Sequence, residues 1–422
     1  MSTYRSLLDS FLVENPSVEF IRYQWLDYCG ILRALFLPVT SSLHNSPFKL
    51  SPNAMTVATF QDFMPDHIHT GVNYIHPDFT SLRVCHYAPA HASVMCAVFE
   101  DRDRGFQRDP RTLLKNILFE AKDLGLKVGF EIEFRCLKLD GTYLDECMSA
   151  WWTTAAMRNK CHPILEDIVR SLLASGIDVC HYHAEGGTGV FEISTGPSDI
   201  LRGIDDLIYT KETIKEIYAK HDILTTTHPS PAIGHHHGLG AHFHLSVTSG
   251  QESFLAGIMD RLASLCAIAM PLEESYTRLN EFRGEAGYYL AWGTENRDIP
   301  IRQVKKGHWE IRCADGAANM YLVLASFIAA GLNGVRKSTK LVQKDFFGNP
   351  SKVDEETRAK AGITRTLPLS LPEALDEMEK ADWKELGLEM AAERFAQMQR
   401  QNIIDLKRLT EAERRLHLLR LF

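Results

Sequence analysis

The 422-residue chain lacks the features that mark membrane, secreted and nucleic-acid-binding proteins. Its N-terminus carries an acid, Asp9, and has no long apolar run, so we expect neither a signal peptide nor a membrane span. Nine cysteines without a Cys-x-x-Cys motif predict reduced thiols, and with them a cytoplasmic protein. A formal net charge of −8 and the absence of a basic domain argue against a nucleic-acid partner.

The composition is that of an ordinary globular protein, with 45% hydrophobic and 24% charged residues, and the chain is long enough to bury a large core. Strand-like segments dominate residues 17–37 and 83–100. Helical spacing of apolar residues at 111–124, 162–175 and 204–221 alternates with further strand-like segments. This alternation predicts an α+β protein with an antiparallel sheet.

Two further helical patterns lie in the last quarter of the chain. Residues 319–331 are almost entirely apolar and predict a core helix that ends at Gly331. From Leu371 onward, acids and bases recur at three- and four-residue spacing, which predicts solvated helices.

A pair of acids stands in an apolar, strand-like run at residues 127–135. Glu131 and Glu133 are two residues apart, so both side chains point to the same face of a strand. Two neighbouring carboxylates repel each other, and a solvated face or a bound cation must offset that repulsion. By itself, such a pair is more typical of a solvated strand face than of a metal site.

A second pair of acids, Glu185 and Glu192, flanks the glycine-rich stretch Gly186-Gly-Thr-Gly189. Glycine permits a tight bend there, and the alternation after it favours a strand, so we expect a hairpin that brings the two acids toward each other. Without other evidence this is only a polar hairpin.

Two more segments add nitrogen ligands and positive charge. His242, His244 and Ser246 alternate along one face of a predicted strand that follows a Gly-x-Gly turn, and such histidines either bind a ligand or pack in a core. Residues 296–312 alternate arginines and lysines with apolar residues, in a chain of negative net charge. Forked guanidinium groups suit phosphate and carboxylate, so an anionic substrate is one reason for the cluster.

These four segments, in this order and spacing, resemble the signature motifs of the glutamine synthetase family of ATP-dependent ligases, its type I members and γ-glutamyl-amine synthetases among them. Residues 17–30 are similar to the small N-terminal β-grasp domain of the family, and residues 108–114 resemble the entry to its catalytic domain. The resemblance implies a β-grasp domain at 1–105 and, at 106–422, a catalytic domain with a curved antiparallel sheet and flanking helices.

The resemblance also implies a role for each site residue, with ATP as co-substrate and two or more Mg²⁺ or Mn²⁺ ions, which prefer oxygen-rich ligands. For the metals, it implies that one is held by Glu133, Glu185 and Glu192 and the second by Glu131, His242 and Glu310. For ATP, it implies His244, Ser246, Arg302 and Lys305. For the amino-acid substrate, it implies His237, Gly238, Arg278 and Arg312. For catalysis, it implies Arg297, which faces phosphate, and Glu285, a flap acid that takes a proton from the amine.

Several positions depart from the family pattern, and they lie on the substrate side. His237 stands where the family has asparagine, Val190 replaces a glutamine, and His308 replaces an arginine. The Asp-Gly-Ser-Ser stretch, whose aspartate helps to bind ammonium in glutamine synthetases, has no clear counterpart in residues 51–62. A site without that anion loses much of its preference for ammonium over a bulkier amine.

We therefore expect a ligase that activates glutamate, or a related amino-acid carboxylate, as an acyl phosphate and joins it to an amine other than ammonia. The alternatives are a true glutamine synthetase and a non-catalytic relative with a structural or regulatory role. By resemblance, we also expect a homo-oligomeric ring of ten or twelve subunits whose active sites are shared between neighbours. Neither a membrane nor a nucleic acid is expected as a partner.

Overall fold

A computed structural model describes most of the chain, and it has two β-sheets and a set of helices that pack on them. The described residues are 2–42, 48–55, 57–59, 70–99, 109–149, 151–231, 238–281 and 285–422. Helices and strands both contribute large shares of these residues, so the predicted α+β class is confirmed.

The first sheet is formed by the N-terminal part of the chain. Its strands are β1 (Phe20–Leu26), β2 (Leu32–Pro38), β3 (Phe48–Leu50), β4 (Asn73–Pro77), β5 (Arg83–Val84) and β6 (His91–Phe99). Their order is β2-β1-β6-β4-β3, with β5 paired to β6, and β1 runs parallel to β6 while the other pairs are antiparallel.

The second sheet contains all four motif segments. Its strands are β7 (Lys127–Leu137), β8 (Val179–Ala184), β9 (Val190–Thr195), β10 (Leu224–Thr226), β11 (Ala241–Ser246), β12 (Trp292–Thr294), β13 (Ile301–Lys305) and β14 (His308–Ile311). Their order is β12-β13-β14-β11-β7-β9-β8, with β10 paired to β7. Except for the parallel pair β12 and β13, the strands pair antiparallel, and the predicted hairpin is present as β8 and β9.

The helices follow the predicted segments closely at their starts. They are α1 (Ser2–Glu14), α2 (Val39–Ser42), α3 (Pro110–Glu120), α4 (Cys161–Ala174), α5 (Ile200–Ala219), α6 (Gln251–Ala269), α7 (Met320–Lys337), α8 (Glu355–Lys360), α9 (Leu371–Lys380), α10 (Glu389–Leu406) and α11 (Glu411–Leu421). Within the described ranges, no helix has the length and apolar character that crossing a membrane requires.

Helix α7 begins where the sequence predicts but does not end at Gly331. Asn319 caps its N-terminus by accepting a hydrogen bond from the Leu322 N–H, and the helix continues to Lys337. Gly331 is a point of close approach instead, because a Cβ built there would lie 2.4 Å from the ring of Phe254 on α6. The prediction of a helix end at this glycine was wrong, because the sequence alone does not distinguish a glycine that permits close helix packing from a glycine that ends a helix.

The prediction of solvated helices after Leu371 also needs correction. Helix α9 buries one face, which includes Leu375 and Met378, and α10 buries polar residues such as Asn402 as well as apolar ones. The charges occupy only the outer faces of these helices. The last residue, Phe422, is buried, and its carbonyl accepts a hydrogen bond from the Thr227 N–H.

Polar contacts join the first sheet to the helices of the second. Arg22 of β1 pairs with Glu216 of α5 at 2.8 Å, and the Asn319 side chain donates to the Asp27 carbonyl at 2.8 Å. The division into domains at 1–105 and 106–422 stays a prediction.

Candidate active site

Strand β7 is at the centre of the site because its two neighbours bring further polar groups to the same face. Glu133 lies opposite Glu192 on β9, and Glu131 lies opposite His242 on β11. The alternate residues of β7, such as Phe130 and Phe134, are buried on the other face, where α5 packs. The period-2 pattern therefore keeps the acids on the face that the helices leave free.

Glu131, His242 and Glu310 form one compact donor group. The His242 Nδ1 atom lies 3.4 Å from Glu131 and 3.4 Å from Glu310, and the donor atoms of all three lie within 4.8 Å of one another. The Nε2 atom of His242 is buried and has no hydrogen-bond partner among the described residues. Two carboxylates and an imidazole at this spacing fit the second predicted metal set, with oxygen ligands in the majority.

The surroundings of these acids shift their pKa values in different directions. Burial would raise the pKa of Glu131, but hydrogen bonds from His242 and His244 outweigh it and hold that pKa well below its usual range. Burial raises the pKa of Glu133 to about 7, and the nearby Glu192 carboxylate adds to the rise. The Gly240 N–H donates to Glu133 at 2.8 Å, which partly opposes that rise.

Two arginines hold Glu310. Arg302 lies opposite Glu310 on the paired strand β13 and donates to one carboxylate oxygen, while Arg312 donates to the other at 2.5 Å. Burial would raise the pKa of Glu310, but the charges of Arg312, His242 and Arg302 lower it. Arg302 also donates to Glu295 at 2.7 Å. Arg302, which the resemblance assigns to ATP, is thus in contact with the predicted metal ligand Glu310.

A second donor group contains two histidines that the sequence motifs do not assign. His181 and His183 lie on one face of β8 with nearly parallel rings, 5.6 Å apart, and face Glu192 at 3.7 and 3.4 Å. The contact with Glu192 raises the pKa of His181. Burial would lower the pKa of His183, but Glu192 outweighs it and raises that pKa as well. His183 also lies 3.6 Å from Glu185, so it stands between the two acids of the hairpin.

One cavity of about 890 Å³ contains most of these groups. Its walls are Glu131, Glu133, Trp151, Trp152, His181, His183, Glu185, Glu192, His242, Glu285, Arg297, Asp298, Arg302 and Arg312. The five predicted metal ligands Glu131, Glu133, Glu185, Glu192 and His242 are therefore together, and Glu310 lies directly behind them, fully buried. The volume suits a substrate with several functional groups.

An adjoining cavity of about 150 Å³ brings together the described residues of the predicted amino-acid site. Gly238, Arg278 and Arg312 line it, with Glu285. Arg278 is buried, and it donates to the carbonyls of Ala314 and Arg312 at 3.0 and 3.1 Å. The Gly238 N–H donates to the Glu285 carboxylate at 3.2 Å.

Other predicted residues lie beside the cavity or outside the described ranges. His244 contacts the predicted metal ligand Glu131 at 3.0 Å and His308 at 3.0 Å. It lies between His242 and Ser246 on the polar face of β11. Lys305 is exposed at the end of β13 and does not line the cavity. His237 lies outside the described residues, as do Thr56 and residues 60–62 of the segment in which the ammonium motif has no counterpart.

Sequence patterns gave no role to five residues of the cavity wall, namely Trp151, Trp152, His181, His183 and Asp298. The His-x-His spacing on β8 is a signal that could have indicated the pair of histidines, since it has the same period as Glu131 and Glu133. The two tryptophans stand in a loop, where no periodicity indicates direction.

Comparisons with known proteins agree with this geometry. Residues 107–416 match the family model for the catalytic domain of glutamine synthetase. The chain is 32% identical to protein fluG of Emericella nidulans over 391 residues, which are 88% of this chain and 45% of fluG, so it spans less than half of that relative. Glutamine synthetase of Staphylococcus aureus strain MW2 is 29% identical over 406 residues, 86% of each chain.

Two solved structures have the same fold. GmaS in complex with ADP is 26% identical, with a TM-score of 0.83 over 97% of this chain and 98% of GmaS. A novel glutamine synthase homolog is 22% identical, with a TM-score of 0.81 over 96% of this chain and 99% of the homolog.

Proposed function

The chain belongs to the glutamine synthetase family of ATP-dependent ligases, and we propose that it joins glutamate, or a related amino-acid carboxylate, to an amine other than ammonia. The observation that carries the proposal is the single cavity whose wall combines five predicted metal ligands with Arg297, Arg302 and Arg312. Acids to hold cations and arginines to meet phosphate are the two requirements of phosphoryl transfer to a carboxylate.

In the first step, a carboxylate oxygen of the substrate attacks the γ-phosphorus of ATP. The bond from that phosphorus to the β,γ-bridging oxygen breaks, ADP leaves, and an acyl phosphate is formed. Divalent cations, when bound by the two predicted ligand sets, supply charge neutralisation for the transferred phosphoryl group. Arg297 is exposed and lines the cavity, where it would meet phosphate oxygens, while Arg278 and Arg312 border the smaller cavity where a carboxylate would lie. These side chains provide orientation and electrostatic stabilisation.

In the second step, the amine nitrogen attacks the acyl carbon, the bond from that carbon to the phosphate oxygen breaks, and phosphate leaves. An ammonium ion must lose two protons to become the amide nitrogen, one of which leaves with phosphate. Glu285 lines both cavities and is the proposed acceptor of the other, and the Gly238 N–H orients its carboxylate. A base within hydrogen-bond reach of the nitrogen is what this step requires.

The choice of an amine other than ammonia rests on the substrate-side departures of the sequence, which include His237, Val190 and His308. The glutamine synthetases of Staphylococcus aureus among the relatives favour ammonia as the competing candidate.

The test is phosphate release from ATP with Mg²⁺ and glutamate, run against ammonia and a panel of alkyl and aryl amines. We expect release that depends on a larger amine and a loss of at least 100-fold in Glu133→Gln, because a neutral amide replaces a predicted ligand. Glu166→Gln on α4, outside the cavity, is the matched control and should retain wild-type rates.

Each outcome decides between the candidates. Release with ammonia as fast as with any other amine would make the protein a glutamine synthetase. No release with any amine, in a protein that still binds ADP, would favour the non-catalytic alternative over the proposal.

We also infer a homo-oligomeric ring with sites shared between neighbouring subunits, as the family resemblance implies. Light scattering should give a mass near ten or twelve times the 47.7 kDa of one chain. An active monomer at assay concentration would contradict the shared site.

A further inference from the structure

Two adjacent tryptophans at the cavity wall are unusually exposed. Trp151 is 62% and Trp152 is 67% exposed, and both line the large cavity beside the acids. Side chains this exposed bury little apolar surface, so they contribute little to the stability of the fold. Exposed apolar surface marks a binding site, and rings that line a cavity are placed to contact a ligand inside it.

The backbone of Trp152 is in a conformation that bulky residues seldom adopt. Its φ is +57°, in the left-handed region, and its N–H donates to the Ala184 carbonyl at 3.1 Å, at the end of the edge strand β8. A bulky side chain in this region is a genuine outlier, and such strain tends to be retained where function requires a particular side-chain direction.

The side-chain contacts of the pair tie it to the acids of the site. The Trp151 Nε1–H donates to the Glu185 carboxylate at 3.0 Å, and the ring of Trp152 lies 5.2 Å from that of His183. The two indole rings are 5.4 Å apart and inclined at 43°, so together they make a tilted aromatic surface next to a carboxylate.

We propose that Trp151 and Trp152, beside the predicted metal ligand Glu185, bind the amine co-substrate, and that this amine is a primary amine with an aryl or bulky alkyl body. The ammonium group is attracted to the indole faces, for which cations have affinity. The apolar body covers the exposed rings. This inference rests on the proposed function, since it names the amine that the ligase would use.

The position of the pair in the sheet favours the amine over the adenine ring of ATP as its occupant. Trp152 is bonded to the edge strand β8, whereas the predicted nucleotide residues His244 and Ser246 lie on β11, three strands further into the sheet. The acids of β7 and β9 stand between the two positions.

The experiment compares benzylamine with ammonia as the amine in the phosphate-release assay, at saturating ATP and glutamate. We expect the ratio of kcat/KM for benzylamine to that for ammonia to fall about tenfold in Trp152→Ala, mainly through KM for the amine, and to recover largely in Trp152→Phe. Phe119→Ala removes an aromatic side chain that is 76% exposed on α3 and should leave the ratio unchanged.

A stability measurement separates binding from a structural role. Trp152→Gly removes the left-handed strain, so its melting temperature should equal or exceed that of wild type while the benzylamine preference is lost. A lower melting temperature, together with an unchanged amine ratio, would show that the ring serves only the fold.

The remaining outcomes are distinct. If wild type releases phosphate with amines but the ratio is the same in the tryptophan variants, this inference is wrong and the proposed function stands. A rise in KM for ATP without a change in the amine ratio would assign the pair to the nucleotide. If wild type uses no amine at all, the proposed function fails, and the inference fails with it.

Discussion

Glu131 and Glu133 are two residues apart on β7, yet their surroundings move their pKa values in opposite directions. Two histidines donate to Glu131 and keep it ionised, whereas Glu133 faces Glu192 in a buried position and its pKa rises to about 7. A cation at the predicted Glu131 set would meet an ionised carboxylate, whereas a cation at the predicted Glu133 set would meet a carboxyl group that must first lose a proton. Metal binding is therefore linked to pH.

The first prediction concerns this linkage. Since Glu133 binds a proton as the pH falls through about 7 and a ligand must be ionised, the affinity for Mg²⁺ should decrease below that pH, by up to about tenfold per unit. Calorimetric titrations with Mg²⁺ from pH 8 to 6 measure this affinity. In Glu133→Gln the affinity should be lower throughout and its pH dependence shallower. An equally steep profile in the variant would assign the proton to another group.

A second prediction concerns His228, which is buried near the end of the described range 151–231. Its Nδ1 accepts a hydrogen bond from the Ser230 N–H at 3.2 Å, and burial, with Arg414 and Arg415 nearby, lowers its pKa to about 3. Because an unfolded histidine binds its proton near pH 6.5, the free energy of unfolding should decrease as the pH falls below that value, by about 2 kcal/mol at pH 5.

Urea denaturation at pH 7.5 and 5 measures this effect, with His228→Asn as the comparison. Asparagine keeps an acceptor for Ser230 but does not titrate, so the variant should lose about 2 kcal/mol less than wild type between the two pH values. The same loss in both proteins would mean that His228 does not control acid stability.

Single residues were predictable from sequence where periodicity gives them a direction. Glu131 and Glu133 share a strand face, and the facing positions of His242 and Glu192 follow from antiparallel pairing. Trp151 could not be found this way, because a loop side chain takes its direction from its contacts, here the hydrogen bond to Glu185.

Among the elements, helix α7 shows why the ends of helices are harder to predict than their starts. Its start has a capping side chain, but its true end at Lys337 is followed by Ser338 in the left-handed conformation, with φ +52°, where glycine is the usual residue. Gly331 and Gly334 lie inside the helix, where their missing side chains let α6 approach. Local propensity therefore gives the wrong prediction both at Ser338, where the helix ends without a glycine, and at Gly331 and Gly334, where the helix continues through a glycine.

A third prediction follows for the glycine contact. Gly334→Ala would normally favour a helix by about 1 kcal/mol. Here the new Cβ would lie 2.2 Å from the Ser253 carbonyl oxygen, so we expect a net loss of about 1–3 kcal/mol in the free energy of unfolding, measured by denaturant titration. Gly203→Ala on α5 is the control. The tight contact of its new Cβ is with a side-chain methyl group of Val128, at 2.6 Å, rather than with a backbone atom, so this change should cost less.

A fourth prediction has the opposite sign. Ser338→Gly places the residue without a Cβ at the left-handed position, so the free energy of unfolding should rise by about 0.5–1 kcal/mol. Thermal melting monitored by circular dichroism measures it. A lower melting temperature would mean that the serine side chain has a contact worth more than the backbone strain.

At the scale of the whole molecule, the sequence indicated both sheets but not how they are joined. The motifs are local, whereas the junction is built from ion pairs between residues that are far apart in the chain. Arg111 of α3 pairs with Asp78, which follows β4 of the first sheet, at 2.7 Å and with Asp205 of α5 at 2.8 Å. Helix α5 in turn packs against β7, so this junction supports the strand that carries the site acids.

The last prediction tests the junction through Arg111. Burial would raise the pKa of Asp78, but Arg111 and Lys115 hold it well below its usual range. Among the described residues, Arg111 is the one cation within ion-pair distance of both Asp78 and Asp205. Arg111→Leu would leave two partly buried carboxylates without it, so the free energy of unfolding should fall by about 3–5 kcal/mol. Denaturant titration measures the loss.

The matched control for that change is Arg170→Leu, which removes an arginine that also pairs with two acids, Glu166 and Asp167, but on the exposed surface of α4. Exposed pairs are screened by solvent, so its melting temperature should hardly change. Equal effects of the two substitutions would show that the junction is as weakly coupled as a surface pair. A large loss confined to Arg111→Leu, with amine-dependent phosphate release lost at the same denaturant concentration, would show that both sheets and the site unfold as one unit.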